Sequence, residues 1–302
     1  MKPRKVFLGG LAAWAGWRLF GPEVAPRLSS GQQRPLRVSG RTVFVGEREF
    51  FVREAGPVDA PPLVLVHGWG FDGEMNYYNV IEALAQHFRV VVPDHRNHGK
   101  SDWIRGKYDV SDLADDLAGV LDVVGVSRAT VFGYSLGGMV TQELARRYPG
   151  HVGRMILAAT AARPVYRLRP LARGGMWLAR SVARFSTREI AAGSTYVMKR
   201  AGALEPQHER WMRAALLRRD PTLFYEAGHA AWRFDSRTWV GKLVQPALVI
   251  VTAADRIVAP VAQRTLAELI PNAEVVELAG ADHDSILSAP ESYIGHIKRF
   301  AG

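Results

Sequence analysis

The 302-residue sequence contains no cysteine, which excludes disulfide bonds, thiolate nucleophiles and cysteine-ligated metal sites. It also lacks any run of five or more consecutive lysine or arginine residues and any nucleic-acid-binding motif, although its formal net charge is +10. A basic protein can bind nucleic acid, an anionic membrane or an anionic small molecule. We therefore expect no nucleic-acid partner, and we favour a membrane surface instead.

The N-terminus also lacks an apolar run long enough to span a bilayer. Its apolar run, from Val6 to Trp17, has twelve residues, and a helix of that length rises about 18 Å against a hydrocarbon core of about 30 Å. An export signal has a similar pattern, whereas Trp14, Trp17 and the basic flanks are typical of an interfacial anchor. We expect a protein that is membrane-associated or exported, with peripheral attachment on the cytoplasmic side as the remaining location.

The excess positive charge is concentrated in two segments. Residues 1–37 carry a net charge of +6, and residues 163–240 contain 15 basic and six acidic residues. The rest of the chain carries a net charge of −5. This distribution suggests that both basic segments face the same anionic membrane surface.

From residue 38 onward, short apolar runs alternate with helical stretches, which is typical of βαβ units around a mostly parallel sheet. The pattern predicts strands at Arg41–Val45, Glu49–Glu54, Leu63–Val66, Phe88–Val92, Ala129–Phe132, Val152–Ala159, Pro246–Val251 and Glu274–Leu278. It predicts helices from Ser111, at Met139–Tyr148, at about 260–270 and at about Glu291–Phe300. Ser111 or Asp112 is expected to cap the first of these helices.

The strongest motif is Gly133-Tyr134-Ser135-Leu136-Gly137, a G-x-S-x-G pattern that follows a predicted strand and opens a predicted helix. A serine on such a tight turn is exposed as a nucleophile, and the flanking glycines allow neighbouring backbones to approach. Acyl transfer also needs two backbone N–H groups for the developing oxyanion. We expect these donors to be Leu136 and Trp69, the latter in His67-Gly68-Trp69-Gly70 after another strand, where His67 shapes the turn.

A nucleophilic serine needs a base, and the base needs an orienting acid. His283 follows the strand at 274–278 and precedes the last helix, so it can reach the nucleophile over the edge of the sheet. Asp255 follows the strand at 246–251, which gives the chain order Ser135, Asp255, His283. Asp282 and Asp284 are alternative acids, but as neighbours of His283 in the sequence they are poorly placed to reach its ring.

The sequence resembles the α/β-hydrolase fold family, specifically bacterial serine hydrolases with a helical cap. The resemblance covers residues 40–302 and rests on five ordered pieces. They are His67–Gly70, Asp94–Ser101, Gly133–Gly138, Asp255 in its loop and His283 in its loop. The family commonly has glycine where this chain has Asn97. Members with an aspartate nucleophile are dehalogenases and epoxide hydrolases, and Ser135 excludes both chemistries.

The resemblance implies an α/β fold, with a mostly parallel sheet, helices on both faces and an inserted helical cap. We expect a leader and linker at 1–37, a hydrolase core at 38–162 and 241–302, and the cap at 163–240. By resemblance the cap forms the substrate pocket. Its basic charge suggests that a lipid-soluble ester enters from a membrane.

The function implied is hydrolysis of a carboxylic ester, including lipid esters, through an acyl-enzyme intermediate. The same catalytic groups serve C–C bond hydrolysis, acyl transfer and perhydrolysis in this family, and the motifs do not separate these reactions. A non-catalytic ligand-binding protein of the same fold is the alternative of another class. No cofactor is expected, and we expect no metal because His95 and His98 lack a convincing set of further ligands.

Overall fold

The computed structural model describes residues 38–164, 187, 191–220, 222–271 and 273–302. The predicted leader and linker at 1–37 lie outside the described residues, as does most of the segment from 165 to 190. The division into core and cap at residues 163 and 240 therefore stays a prediction.

Eight strands form one sheet in the order β1-β2-β4-β3-β5-β6-β7-β8. Their bounds are β1 Gly40–Val45, β2 Arg48–Ala55, β3 Pro62–Val66, β4 Arg89–Pro93, β5 Ala129–Tyr134, β6 Val152–Ala158, β7 Ala247–Thr252 and β8 Glu274–Leu278. β2 pairs antiparallel with both β1 and β4, and every other neighbouring pair is parallel. The predicted fold class is confirmed, and each predicted strand lies within one or two residues of its observed bounds.

Helices follow the strands in the expected alternation. They are α1 Gly73–Tyr77, α2 Ile81–Ala85, α3 Val110–Val123, α4 Leu136–Arg147, α5 Glu209–Leu217, α6 Phe224–Arg233, α7 Pro260–Leu269, α8 Ser285–Ser288 and α9 Pro290–Ala301. Residues 191–200 are also helical, and a turn follows them. Single 3₁₀ turns occur at Pro149–His151, Pro206–His208 and Val240–Lys242. α5 and α6 lie in the long connection between β6 and β7.

The predicted cap of α3 is wrong. Asp109 is the N-cap residue, and the carboxylate of Asp112 accepts a hydrogen bond from the Asp109 backbone N–H at 2.7 Å. Asp112 thus acts from the first turn of the helix, as the acidic partner of a capping box does.

The sheet separates two apolar layers because side chains alternate along its buried strands. In β3, Val64 and Val66 face one layer while Leu63 and Leu65 face the other. The first layer is completed by α3, α4 and α7, and the second by α1, α2 and α9. Helices thus cover both faces, so the polar loops at the carboxyl ends of the parallel strands form the natural place for a site.

The start of α4 lies directly against the end of β3. A Cβ atom added to Gly137 would lie 1.9 Å from the backbone oxygen of Val66, and one added to Gly133 would lie 2.4 Å from the backbone oxygen of Gly137. Both distances are far below van der Waals contact. The helix can approach the sheet this closely only because these two positions have no side chain.

Gly137→Ala should therefore destabilise the protein, by about 3 kcal/mol or more, because backbone must move to admit the methyl group. Gly295→Ala is the matched control, since a Cβ at this position within α9 meets nothing within 4 Å. The control should stabilise the protein by about 0.5–1 kcal/mol through the higher helix propensity of alanine. Urea unfolding of the three proteins measures both effects. Equal stability of Gly137→Ala and the unsubstituted protein would contradict the packing described.

Candidate active site

Ser135 forms the one-residue turn between β5, which ends at Tyr134, and α4, which begins at Leu136. Its backbone has φ 54° and ψ −117°, a conformation with positive φ that residues other than glycine rarely adopt. The Ser135 N–H donates a hydrogen bond to the Ala158 oxygen of β6 at 2.9 Å. Packing of the helix against the sheet thus holds the turn in a strained geometry that lifts the side chain out of the strand.

His283 and Asp255 approach Ser135 from two other loops at the same edge of the sheet. His283 follows β8, and its Nε2 lies 3.0 Å from Ser135 Oγ. Asp255 follows β7, and its Oδ2 lies 2.8 Å from His283 Nδ1. An ionised carboxylate can only accept this hydrogen bond, so Nδ1 carries the hydrogen. Nε2 of a neutral ring is then left to accept the serine hydroxyl proton.

The Asp255 carboxylate is buried and fully hydrogen-bonded. Its Oδ2 also accepts bonds from Thr252 Oγ1 at 2.8 Å and from Gln263 Nε2 at 3.1 Å. Its Oδ1 accepts the backbone N–H groups of Ile257 and Val258, both at 2.8 Å. These donors fix the carboxylate in the orientation that meets the imidazole, and they satisfy both of its oxygens.

The two alternative acids make other contacts. Asp282 pairs with the Arg256 guanidinium and accepts the backbone N–H groups of Arg256 and His283, at 3.2 and 2.8 Å. It therefore ties the loop that carries the acid to the loop that carries the imidazole. Asp284 precedes α8, where its backbone oxygen accepts the Leu287 N–H. Of the three aspartates, Asp255 is the one in contact with the imidazole.

Tyr134 contributes a contact that the sequence reasoning missed. Its hydroxyl donates to the backbone oxygen of His283 at 2.8 Å. The residue is buried, and its ring lies against Tyr293 of α9. Because Tyr134 occupies the variable position before the serine, the motif gave no signal for it. In the folded chain it couples the position of the His283 loop to the nucleophile turn itself.

The predicted oxyanion donors, Trp69 and Leu136, belong to two segments next to Ser135. Leu136 is the first residue of α4, so its N–H has no acceptor within the helix. The His67–Gly70 loop is equally close, since a Cβ on Gly68 would be 3.3 Å from Ser135 Cβ. The Gly68 N–H already donates to Asn76 Oδ1 at 2.8 Å, so the next N–H, that of Trp69, is the donor this loop can offer.

Trp69 also connects this loop to the insertion between β6 and β7. Its indole Nε1–H donates to the Phe224 backbone oxygen at 2.8 Å, and the two rings stack with centroids 5.0 Å apart. The start of α6 therefore lies over the loop that holds a predicted oxyanion donor. The insertion can influence the site through this contact.

Three buried histidines, His67, His95 and His98, form a cluster below the loops. His67 Nδ1 donates to the Gly68 oxygen and its Nε2 accepts the backbone N–H of His95, so its ring shapes the turn. Burial lowers the pKa of all three, to about 3 for His95 and about 4 for His98. The cluster is neutral at pH 7, and nowhere in the described chain do three or more potential ligands converge as a metal site would require.

Asn97, the departure from the family pattern, has φ 60°. Asparagine tolerates this left-handed conformation better than most residues. Its side chain also closes the loop by accepting the Ile104 N–H at 2.6 Å and donating to the Ile104 oxygen at 3.1 Å. The substitution therefore preserves the turn that glycine would make.

The family model of the α/β hydrolase fold matches residues 61–290, well over half of the chain. The chain belongs to the α/β-hydrolase fold family.

Individual relatives agree with this assignment. The chain is 28% identical to a pimeloyl-[acyl-carrier protein] methyl ester esterase of Nitrosospira multiformis, over 85% of this chain and 100% of that protein. A hydrolase from Pseudomonas aeruginosa PA01 superposes with a TM-score of 0.75 at 28% identity, covering 91% of this chain and 100% of the other. The enol-lactonase from Burkholderia xenovorans LB400 also gives 0.75 at 28% identity, covering 86% and 99%.

Curated mycobacterial relatives match at 36% identity over 125 residues, so the chain spans 35% of their length. In the described part of the chain, no helix has both the length and the apolar character needed to cross a bilayer.

The histidine cluster predicts a loss of stability in acid. The unfolded chain binds protons at these imidazoles below about pH 6.5, whereas the folded chain does so only near pH 3–4 for His95 and His98. Stability should therefore fall as pH decreases from 7.5 to 5.0, by about 2 kcal/mol for each buried imidazole.

His98→Asn tests this linkage because the asparagine amide can still donate to the Arg96 oxygen, as His98 Nδ1 does. Urea unfolding at pH 7.5 and 5.0 should show a stability loss about 2 kcal/mol smaller in this variant. His87→Gln, at an exposed position, should behave like the unsubstituted protein. An unchanged pH dependence in His98→Asn would refute the assignment of a buried neutral imidazole.

Proposed function

We propose that the protein is a serine hydrolase that cleaves carboxylic esters through an acyl-enzyme on Ser135. One observation carries the proposal: His283 Nε2 lies 3.0 Å from Ser135 Oγ while its Nδ1 lies 2.8 Å from the buried Asp255 carboxylate. A base within hydrogen-bond reach of a hydroxyl, itself oriented by an acid, is the arrangement that activates a serine.

In the first half of the reaction, Ser135 Oγ attacks the ester carbonyl carbon and its proton passes to His283 Nε2. The imidazolium that forms is stabilised by the Asp255 carboxylate, which stays ionised. His283 then gives the proton to the leaving alkoxide, the bond from carbonyl carbon to alkoxide oxygen breaks, and an alcohol departs. Ser135 is left esterified with the acyl group.

In the second half, His283 takes a proton from a water molecule while the water oxygen attacks the acyl carbon. The bond to Ser135 Oγ breaks, the proton returns to Oγ, and a carboxylic acid is released. Both tetrahedral intermediates carry an oxyanion, which the N–H groups of Leu136 and Trp69 stabilise. Removing one such donor in other hydrolases costs about 3–4 kcal/mol of transition-state stabilisation.

The alternatives differ in what enters or leaves at the acyl carbon. Acyl transfer and perhydrolysis replace water with another acceptor, and C–C bond hydrolysis replaces the leaving alkoxide with a carbanion. Ester hydrolysis is preferred because the similar protein from Nitrosospira multiformis is a methyl ester esterase. A lipid ester as substrate, the anionic membrane surface and the cellular location rest on the charge and apolar pattern of residues 1–37 and 163–240, and they stay predictions.

A fluorophosphonate probe tests the nucleophile and separates an enzyme from a binding protein. The unsubstituted protein should be labelled with one equivalent, because the probe phosphonylates activated serines and releases fluoride. Ser135→Ala should not be labelled, and Ser292→Ala, at an exposed position of α9, should be labelled as the unsubstituted protein is. Absence of labelling in the folded, unsubstituted protein would overturn the proposal.

Substitution of Asp255 and, as a matched control, of Asp284 tests which aspartate orients His283. Asp255→Asn should lower kcat for a p-nitrophenyl ester by about three to four orders of magnitude, since the amide cannot hold the required tautomer. Asp284→Asn should lower it less than about fivefold, because this side chain does not orient the ring. Steady-state kinetics compare the two variants. A larger loss of kcat in Asp284→Asn than in Asp255→Asn would show that Asp255 is not the orienting acid.

A further inference from the structure

A narrow cleft lies beside the candidate active site, between the loop after β4 and helix α5. Its lining residues include Arg53, Asp72, His98, Trp103, Trp211 and Arg219. Ser135, His283 and Asp255 are not among these residues, so the cleft is a separate feature from the hydrogen-bonded site.

The charged side chains at the floor of the cleft are largely paired with one another. Arg53 is almost fully buried and forms salt bridges with Asp94 at 2.8 Å and with Glu74 at 3.3 Å. Asp72 caps α1 by accepting the Met75 N–H at 2.8 Å. These contacts account for the acidic residues of the cleft, and they leave little negative charge for a further cation.

Arg219 interacts electrostatically with Asp72 but forms no direct ion pair with the acids of the cleft. In the described residues its guanidinium makes no salt bridge, and its one hydrogen-bond contact is a long one of 3.9 Å to Met75 Sδ. Burial lowers the pKa of Arg219 to about 10, and the charge of Asp72 offsets this effect only in part. Arg219 is partly buried and has no direct ion pair in the described part of the chain, so the position suits a ligand that supplies a contacting anion.

His98 provides a second, independent sign of a ligand. Its Nδ1 donates to the Arg96 oxygen at 3.0 Å, which leaves Nε2 as an acceptor. Nε2 is buried and has no hydrogen-bond partner within the described chain. Buried polar atoms are nearly always satisfied, so this imidazole lacks a donor that a ligand in the cleft could bring.

Two aromatic rings lie near the Arg219 guanidinium, and the shape of this group indicates which anion it would bind. Its guanidinium lies 5.1 Å from the ring centre of Phe224 and 5.9 Å from that of Phe71. The planar guanidinium offers a fork of N–H donors, which matches the planar, bidentate carboxylate.

We propose that this cleft binds a carboxylate that pairs with Arg219, and that His98 Nε2 accepts a further hydrogen bond where the ligand also carries a hydroxyl or N–H group. The apolar walls, including Trp103 and Trp211, contact the carbon chain that carries the carboxylate.

Contacts connect this cleft to the candidate active site. Phe224 lies beneath the Arg219 guanidinium on one side and stacks on Trp69, a proposed oxyanion donor, on the other. If the protein hydrolyses esters as proposed, its preferred substrates are esters whose acyl chain ends in a free carboxylate. A free carboxylic acid bound next to the site is the other source of the same chemistry.

The test compares two p-nitrophenyl esters of equal chain length, the monoester of glutaric acid and the valerate ester. In Arg219→Met the ratio of kcat/KM for the carboxylate-bearing ester to that for the neutral ester should fall at least tenfold. Arg210→Met removes an exposed arginine of α5 that does not line the cleft, and it should leave the ratio unchanged. Arg219→Lys, which keeps the charge but loses the bidentate geometry, should give an intermediate ratio.

A binding arm identifies the source of the carboxylate and does not depend on turnover. Free glutarate is titrated into Ser135→Ala and binding is followed by isothermal titration calorimetry, with Ser135→Ala/Arg219→Met as the control. Saturable, Arg219-dependent binding supports the site. Competition between glutarate and the neutral ester indicates a substrate subsite, and inhibition without competition indicates a separate effector site.

The two hypotheses fail differently. If neither ester is hydrolysed but glutarate still binds in an Arg219-dependent manner, the proposed ester hydrolysis is wrong and the carboxylate site stands. If both esters are hydrolysed, yet neither the ratio nor glutarate binding depends on Arg219, the carboxylate site is wrong and the proposed function stands.

Discussion

The close approach of α4 to β3 is the constraint on which the candidate site depends. A single Cβ at Gly137 would lie 1.9 Å from the Val66 oxygen, so the helix must begin immediately after β5. Ser135 alone completes the turn, and it can do so only with a positive φ of 54°. This strain is balanced by packing on both faces of the sheet, and the turn places Oγ 3.0 Å from His283 Nε2.

The rest of the site is assembled by bonds between loops. The sheet places the ends of β5, β7 and β8 along one edge, and side chains then fix their relative positions. Asp282 pairs with Arg256 across two of the loops, and Tyr134 binds the third to the His283 backbone. The 3.0 Å contact between the imidazole and the serine hydroxyl thus depends on residues that take no part in the proposed chemistry.

Much of the fold could be predicted because buried parallel strands are continuous apolar runs, which the sequence displays directly. The strand at Glu274–Leu278 was predicted at its observed bounds, and Ser135, Asp255 and His283 were selected from a motif and its chain order. Their assembly is observed, while their catalytic roles remain predictions.

The sequence could not reveal the contacts that depend on three-dimensional neighbours. Arg219 and His98 are 121 positions apart in the sequence, and only the packing of α5 against the loop after β4 brings them to one cleft. The N-cap of α3 was misplaced because Asp109, Ser111 and Asp112 can each cap the start of a helix, and local geometry decides among them.

The acyl-enzyme is the central claim, and mass spectrometry of an acid-quenched reaction tests it most directly. Mixed with excess p-nitrophenyl acetate, the protein should release about one equivalent of p-nitrophenol in a burst. The peptide that contains Ser135 should gain the mass of an acetyl group, and no other peptide should. The account would be contradicted if the protein hydrolyses the ester steadily but samples quenched within one turnover time carry no adduct on Ser135.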